Sequence, residues 1–304
     1  VADHYAGYLF AYFKGNETAE EEQVYFALSK GNDPLHWHEL NGGRPVLTSY
    51  LGEGGVRDPY LARSPQGDKF YLVATDLSIY RKPGWNRAVT EGSRSIMVWH
   101  SYDLVHWSDQ RMVEIANAEA GCAWAPEIFY DAGCREYKVF WASMADSSDG
   151  GSGGRYHRMM AAATKDFVHF SRPEVYMDYG YSVLDATLIE HNGLIYRFAK
   201  GKNIMQEVGT GIKNDKYRMI HGQVEQDFMV RGEGPIVFKS NVEEKWYLFI
   251  DEFGFRGYIP LVTSDLGSGY WQVPAQYTLP RQTRHGSVIP VTLAEYDRLL
   301  QVYG

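Results

Sequence analysis

Asp58, Glu127, Asp185, Glu233 and His285 are the residues of this 304-residue chain whose types and spacing could do chemistry together. Each opens a short run of strand-forming residues: Asp58-Pro-Tyr-Leu, Glu127-Ile-Phe-Tyr, Asp185-Ala-Thr-Leu, Glu233-Gly-Pro-Ile and His285-Gly-Ser-Val. Carboxylates brought to one space repel one another unless they are protonated, solvated or used, and that pressure sets the proton affinities acid–base chemistry needs. The five residues matter only if the fold makes their strands converge.

The four acidic runs each continue through a tight turn into an aromatic-rich strand: Phe70-Tyr-Leu-Val-Ala, Tyr137-Lys-Val-Phe-Trp, Leu194-Ile-Tyr-Arg-Phe and Trp246-Tyr-Leu-Phe-Ile. Each pair reads as a hairpin, and Asn192-Gly193 in the third tolerates the positive φ angles of a type I′ turn. A further phrase, Asp-apolar-x-x-aromatic, recurs at Asp33-Pro-Leu-His-Trp37, Asp103-Leu-Val-His-Trp107 and Asp166-Phe-Val-His-Phe170, and in longer form at Asp265–Trp271. Its final aromatics are 70, 63 and 101 residues apart, so the last gap has room for one unit that lost the phrase. Five units follow. Helical periodicity is confined to Leu293–Leu300.

Units of four short strands at this period are the blades of a β-propeller. The chain is therefore expected to be all-β, a five-bladed β-propeller in a single domain over residues 1–304, with blades at 54–118, 119–178, 179–230 and 231–280. The fifth blade would close by pairing the C-terminal strand His285–Thr292 with the N-terminal strands Tyr8–Lys14, Gln23–Ser29 and His38–Thr48. Two stacked β-sandwiches are the alternative. In a propeller the innermost strands begin near the axis, which would gather the five residues at one end of the channel.

Composition narrows the classes. Apolar residues at 44% and charged residues at 22% suit a packed core and exclude a disordered chain. Lys and Arg number 30 against 38 Asp and Glu, with no basic cluster, so no nucleic-acid partner is expected. The longest apolar run, Ala6–Phe13, is far short of the roughly 18 residues of a membrane helix, and no membrane association is expected. The chain opens at Val1 with no basic and apolar leader, so no signal peptide is read and the compartment stays open. Aromatics at 15% fit sheets and sugar-facing surfaces alike. Cys122 and Cys134 fall toward opposite ends of one hairpin and are expected to be free thiols.

Val56-Arg-Asp-Pro-Tyr60, Trp124-Ala-Pro-Glu-Ile128, Leu184-Asp-Ala186, Gly232-Glu-Gly-Pro235 and Arg284-His-Gly-Ser-Val288, in this order at blade spacing, resemble glycoside hydrolase family 43. Its members are five-bladed propellers acting mainly on arabinose- and xylose-containing glycans. The resemblance implies that Asp58 is the general base, Glu233 the general acid, and Asp185 a third carboxylate that raises the pKa of the acid and orients it. It implies an inverting glycosidase that needs no cofactor, most simply an α-L-arabinofuranosidase removing terminal residues from plant-type oligosaccharides and polysaccharides. β-Xylosidase, endo-arabinanase and exo-galactanase activities share these carboxylates, and a carbohydrate-binding propeller without turnover is the rival from another class. Fructan-cleaving propellers would carry an Asn-Asp-Pro-Asn-Gly motif and a Glu-Cys acid, and neither occurs.

Within that resemblance Trp124 would stack on a sugar ring, Glu127 would shape the pocket or touch substrate, and Arg284 would bind sugar hydroxyls or pair with a carboxylate. His285 would sit near the axis and act through water on a structural calcium ion, should one bind, since calcium prefers oxygen ligands. About fifty residues precede Asp58, more than in many members, and are expected to fill the outer part of the closing blade. Ser143–Arg158, rich in Gly and Ser, and Tyr80–Gly92, containing Trp85, are read as loops at the pocket rim. A monomer is expected.

Overall fold

The longest apolar runs of the chain are strands buried on both faces. The computed structural model describes residues 4–146 and 154–304. First come β1 (Tyr5–Tyr12), β2 (Tyr25–Lys30) and β3 (Asp33–Glu39). Then follow β4 (Val56–Arg63), β5 (Phe70–Asp76), the short helix α1 (Trp85–Thr90), β6 (Ser95–Ser101) and β7 (Arg111–Glu114). The next unit is β8 (Trp124–Asp131), β9 (Glu136–Ala145), β10 (Tyr156–Thr164) and β11 (Glu174–Met177). After it come β12 (Leu184–His191), β13 (Leu194–Lys200), β14 (Ile204–Gly209) and β15 (Tyr217–His221). Last are β16 (Glu233–Lys239), β17 (Trp246–Glu252), β18 (Gly257–Thr263), β19 (Ser287–Thr292) and the helix α2 (Leu293–Tyr303).

These strands form five antiparallel sheets, the blades of a β-propeller, and the closing sheet has the order β19-β1-β2-β3. The C-terminal strand is thus the innermost of the blade begun by the N-terminal strands, with Leu9 opposite Ile289 and Ala11 opposite Ser287. Five apolar cores alternate with the five blades. Leu9 and Ala11 of β1 pack with Leu61, Leu72 and Trp99 of the first blade, while Tyr8, Phe10 and Tyr12 point the other way, onto Phe238, Phe249 and Tyr258. In β5, Leu72 and Ala74 face the closing blade, and Tyr71 and Val73 face Val139 and Trp141 of the second. Strands wedged between two neighbours need apolar residues on both faces, which is why they do not alternate with polar ones. Each fully buried Leu or Phe contributes about 1.5–3 kcal/mol.

The turns behave as their residues dictate. Asn192 and Gly193 have φ of 52° and 74°, as a type I′ hairpin turn requires. In the recurring phrase the aspartate caps a turn after the third strand of a blade: Asp103 Oδ1 accepts from the N–H groups of Val105 and His106, and Asp166 repeats this with Val168 and His169. The blade that lacks the phrase is the third, β12–β15.

Three expectations need correction. The outer strand of the closing blade is Asp33–Glu39, not His38–Thr48: a tight turn at Gly31, with φ of 59°, starts pairing at once, and positive φ at Asn41, Gly42 and Gly43 stops it. The fourth blade has three strands, not four. Its last element shrinks to a bridge between Val262 and Gln272, after which the chain crosses to bond Leu35 and Trp37 through Thr278. Third, Ser143–Ala145 and Tyr156–Arg158 belong to β9 and β10, and the centre of the expected insertion, 147–153, lies outside the described residues. The Tyr80–Gly92 connection contains α1.

Helix α2 fastens the closure. Thr292 and Glu295 form a capping box, and Arg63 of β4 donates two hydrogen bonds of 2.7 Å to Glu295. A bidentate pair of this kind ties the last element of the chain to the first full blade.

Candidate active site

Four innermost strands share one irregularity. The ladder with the second strand slips between Arg57 and Tyr60, Trp124 and Glu127, Leu184 and Thr187, and Glu233 and Ile236. In each, the second residue of the slip is left-handed: Asp58, Ala125, Asp185 and Gly234 have φ of 49–56°. Pro59, Pro126 and Pro235 follow in three of the four, where no ladder bond needs their missing N–H. Such bulges re-aim side chains at the rim of a sheet.

The bulge puts the residues singled out above at three different positions. Glu233 is equivalent to Arg57, Trp124 and Leu184; Asp58 and Asp185 occupy the left-handed position; Glu127 is equivalent to Tyr60 and Thr187. Glu127 therefore does not match the other carboxylates in position, as the sequence alone suggests it does. A cavity of about 90 Å³ is lined by Asp58, Asp185, Glu233, Trp124 and His285, with Arg57 and Leu184 beside them, Phe13 and Leu77 from loops and Trp85 from the start of α1. Glu127 does not line it. Its buried carboxylate lies 3.9 Å from His285 Nε2 on the axis.

Hydrogen bonds run from blade to blade through these bulges. Thr75 Oγ1 donates to Asp58 Oδ2 at 2.7 Å and accepts from the Ala125 N–H at 2.7 Å. The Gly234 N–H donates directly to Asp185 Oδ2 at 2.9 Å. Tyr258, fully buried, donates to the Gly234 carbonyl and accepts from the Gly286 N–H, each at 2.8 Å.

The charges fall into two groups. His285 Nδ1 lies 3.4 Å from Asp58 and 4.0 Å from Asp185. Burial opposes a charged ring, yet Asp185, Asp58 and Glu127 together hold its pKa well above the ordinary histidine value. An imidazolium thus sits among three carboxyls. Burial alone would raise Asp58, but its bond to His285, the charge of Arg57 and the Thr75 hydroxyl bring it below the usual aspartate value. Asp185 is raised, by burial first and then by Asp58, against the pull of His285.

Glu233 is in a different state. Burial, then Asp251, then Asp185 push its pKa up to about 7, against the opposing charge of Arg284. Among these influences Asp185 comes after burial and Asp251. Arg284 binds both acids, donating from Nε to Asp251 Oδ2 at 2.6 Å and from Nη2 to Glu233 Oε1 at 3.0 Å. This ion pair is one of its two sequence readings.

Two residues of the site escaped the sequence reading. Asp251 stands opposite Glu233 in the β16–β17 ladder and is fully buried. Its signal was the acid pair Asp251-Glu252 ending an otherwise apolar strand. Arg57, only 4% exposed, lies with its guanidinium 4.6 Å from the Phe13 ring and 5.0 Å from the Trp85 ring, facing the cavity. Its signal was an arginine next to Asp58 in a strand. Trp85, 50% exposed, meets Trp124 edge-on at 6.3 Å, so the rim loop does reach the pocket.

Calcium takes six to eight oxygen ligands. The axial donors do not suit it: both nitrogens of a charged imidazole face the carboxylates that would have to coordinate the ion, and His285 already supplies the positive charge. Among the described residues, no group of three or more His, Cys, Asp or Glu side chains is arranged to hold a metal. Cys122 is buried and Cys134 exposed, both as free thiols.

A propeller whose axial pocket holds one carboxyl kept below its usual pKa and another raised to about 7 has the equipment of a glycosidase. The family described as "Probable glycosyl hydrolase domain", related to glycoside hydrolase family 43, matches residues 3–297, and the chain belongs to it. An α-L-arabinofuranosidase of Bifidobacterium longum subsp. longum is 28% identical over 316 aligned positions, covering 90% of this chain and 29% of that protein. The chain thus spans less than a third of that relative. A solved family-43 β-1,3-galactosidase shares the fold with a TM-score of 0.59 at 13% identity, covering 88% of this chain and 55% of that one. A family-43 hydrolase engineered for both endo-xylanase and exo-arabinofuranosidase activity does so with a TM-score of 0.58 at 12% identity, over 96% of this chain and 54% of that one.

Proposed function

We propose that the protein hydrolyses terminal α-L-arabinofuranosyl residues of plant-type glycans with inversion of configuration. The observation that carries this reading is that two carboxyls in different surroundings line one cavity: Asp58, beside His285 and Thr75 and held below the usual pKa, and Glu233, bound by Arg284 and raised to about 7. Near neutral pH Asp58 is the general base and Glu233 the general acid. Glu233 gives its proton to the glycosidic oxygen as that bond to the anomeric carbon breaks. A water attacks the same carbon from the other face and passes its proton to Asp58. The two carboxyls come from non-neighbouring blades, which favours placing them on opposite faces of a bound sugar.

Asp185 neither gives nor takes the transferred proton. Fixed by the Gly234 N–H, it adds negative charge that helps keep Glu233 protonated and helps hold His285 charged. That imidazolium steadies the ionised base, so the reaction needs no bound cofactor. A cavity of about 90 Å³ is far below the roughly 300–1,000 Å³ of drug-sized sites and suits one sugar ring, which supports action at chain ends. The relative named an α-L-arabinofuranosidase supports arabinose as that sugar.

The test is sugar release by the wild type and Glu233→Gln from arabinan oligosaccharides and from aryl α-L-arabinofuranoside, β-xyloside and β-galactoside, with the anomer followed by NMR. Arabinose should appear first as the β-anomer, and the variant should lose roughly 10²–10⁴-fold on oligosaccharides. A first product that retains the α configuration would overturn inversion. Binding of glycans without release of any sugar would leave a binding propeller.

A further inference from the structure

We propose that Arg231 and Phe255, at the mouth of the blade that carries Glu233, form a platform for the sugar that leaves. This rests on Glu233 acting as the acid. An acid that protonates the glycosidic oxygen must have the leaving sugar beside it, and the cavity has room for little more than the ring being released. The leaving sugar therefore begins on Glu233's side of the mouth. There, β16 starts at Glu233 directly after residues 228–232, and β17 turns into β18 through residues 253–256.

These two segments are tied into one construction. The Val230 N–H donates to Glu252 Oε1 at 2.9 Å, Arg256 Nη2 donates to the Phe228 carbonyl at 2.9 Å, and Arg256 Nε is ion-paired with Glu252. Arg231 lies with its guanidinium 4.8 Å from the Phe253 ring and 4.8 Å from the Phe255 ring. Gly254 permits this: with φ of +71°, its Cα has no side chain, and an added Cβ would lie 2.9 Å from Arg231 Nη2. Phe255 is nonetheless 62% exposed. A ring with an open face beside a stacked guanidinium offers a sugar an apolar surface and a fork of N–H donors. The exposed aromatics Tyr50 and Tyr80 lie on the connections before β4 and after β5, at the blade of Asp58 and not that of Glu233.

The experiment compares α-1,5-arabinotriose with methyl α-L-arabinofuranoside, whose leaving group has no ring, for the wild type, Phe255→Ala, Phe255→Trp and Arg231→Ala. Phe255→Ala and Arg231→Ala should lower the ratio of kcat/KM for the triose to that for the methyl glycoside by roughly 3- to 10-fold. The loss should appear mainly in KM, and Phe255→Trp should restore the ratio. An unchanged ratio in an active enzyme overturns the platform alone. A wild type that cleaves neither substrate overturns the arabinosidase reading, and this inference with it.

Discussion

The backbone N–H of Gly234 donates to Asp185 Oδ2 at 2.9 Å, so the strand that carries Glu233 also orients the carboxylate of the preceding blade. The contact exists because Gly234 adopts a left-handed φ of +52° at the bulge. A Cβ added there would lie 2.6 Å from His285 Cγ, nearer than side chains approach. Gly234→Ala should therefore lose about 2–4 kcal/mol of stability, from backbone strain and overpacking at the axis. Denaturant unfolding measures this, and a loss below the error of extrapolation would mean that His285 yields without cost.

The pH dependence follows from the two carboxyls. Asp58 must be ionised, and its pKa lies below the usual aspartate value, so activity is retained well into the acid range. Glu233 must be protonated, and with a pKa of about 7 it loses that proton as pH rises through neutrality. A plot of kcat/KM against pH should be bell-shaped, with its alkaline limb near pH 7 and its acid limb below the usual aspartate range. An alkaline limb near pH 4.5 would mean that Glu233 is solvated in the free enzyme.

The blades were legible because their signals are local. The apolar run Phe70–Ala74, the Asn192-Gly193 turn and the capping aspartates Asp103 and Asp166 each act within a few residues. The position of Glu127 was not legible, because whether it matches Asp58 or Tyr60 depends on a slip in hydrogen bonding to another strand. The same holds for Asp251, which gains its meaning only from standing opposite Glu233. The fourth blade lost its outer strand for a reason equally remote, since residues near Thr278 bond to the closing blade instead.

Arg57 tests how the cavity holds its sugar. Burial disfavours its charge, Asp58 supports it, and its guanidinium rests against Phe13 and Trp85 with the cavity beside it. If it donates to a sugar hydroxyl in the cavity it lines, that charged hydrogen bond is worth roughly 1.5–3 kcal/mol. Arg57→Ala should thus lower kcat/KM by roughly 10- to 150-fold. The acid limb should also rise, because Arg57, after burial and His285, is among the groups that set the Asp58 pKa. A drop in kcat/KM with the acid limb unmoved would confine Arg57 to binding.

Asp251 is placed to govern the acid without touching the sugar. It is absent from the cavity lining, lies opposite Glu233 in the ladder and grips Arg284 at 2.6 Å. After burial it is the foremost influence raising the Glu233 pKa, ahead of Asp185, with Arg284 opposing both. In Asp251→Asn the repulsion disappears, while the amide oxygen can still accept from Arg284. Arg284, relieved of one carboxylate, is left with Glu233 as its charged partner, which favours the ionised acid further. Both changes have the same sign: the Glu233 pKa falls, and the alkaline limb of kcat/KM moves below pH 7. Aryl glycosides with good leaving groups, which need little protonation, should be spared relative to oligosaccharides. If the limb stays in place while activity falls on all substrates alike, Asp251 serves only to hold the blade together.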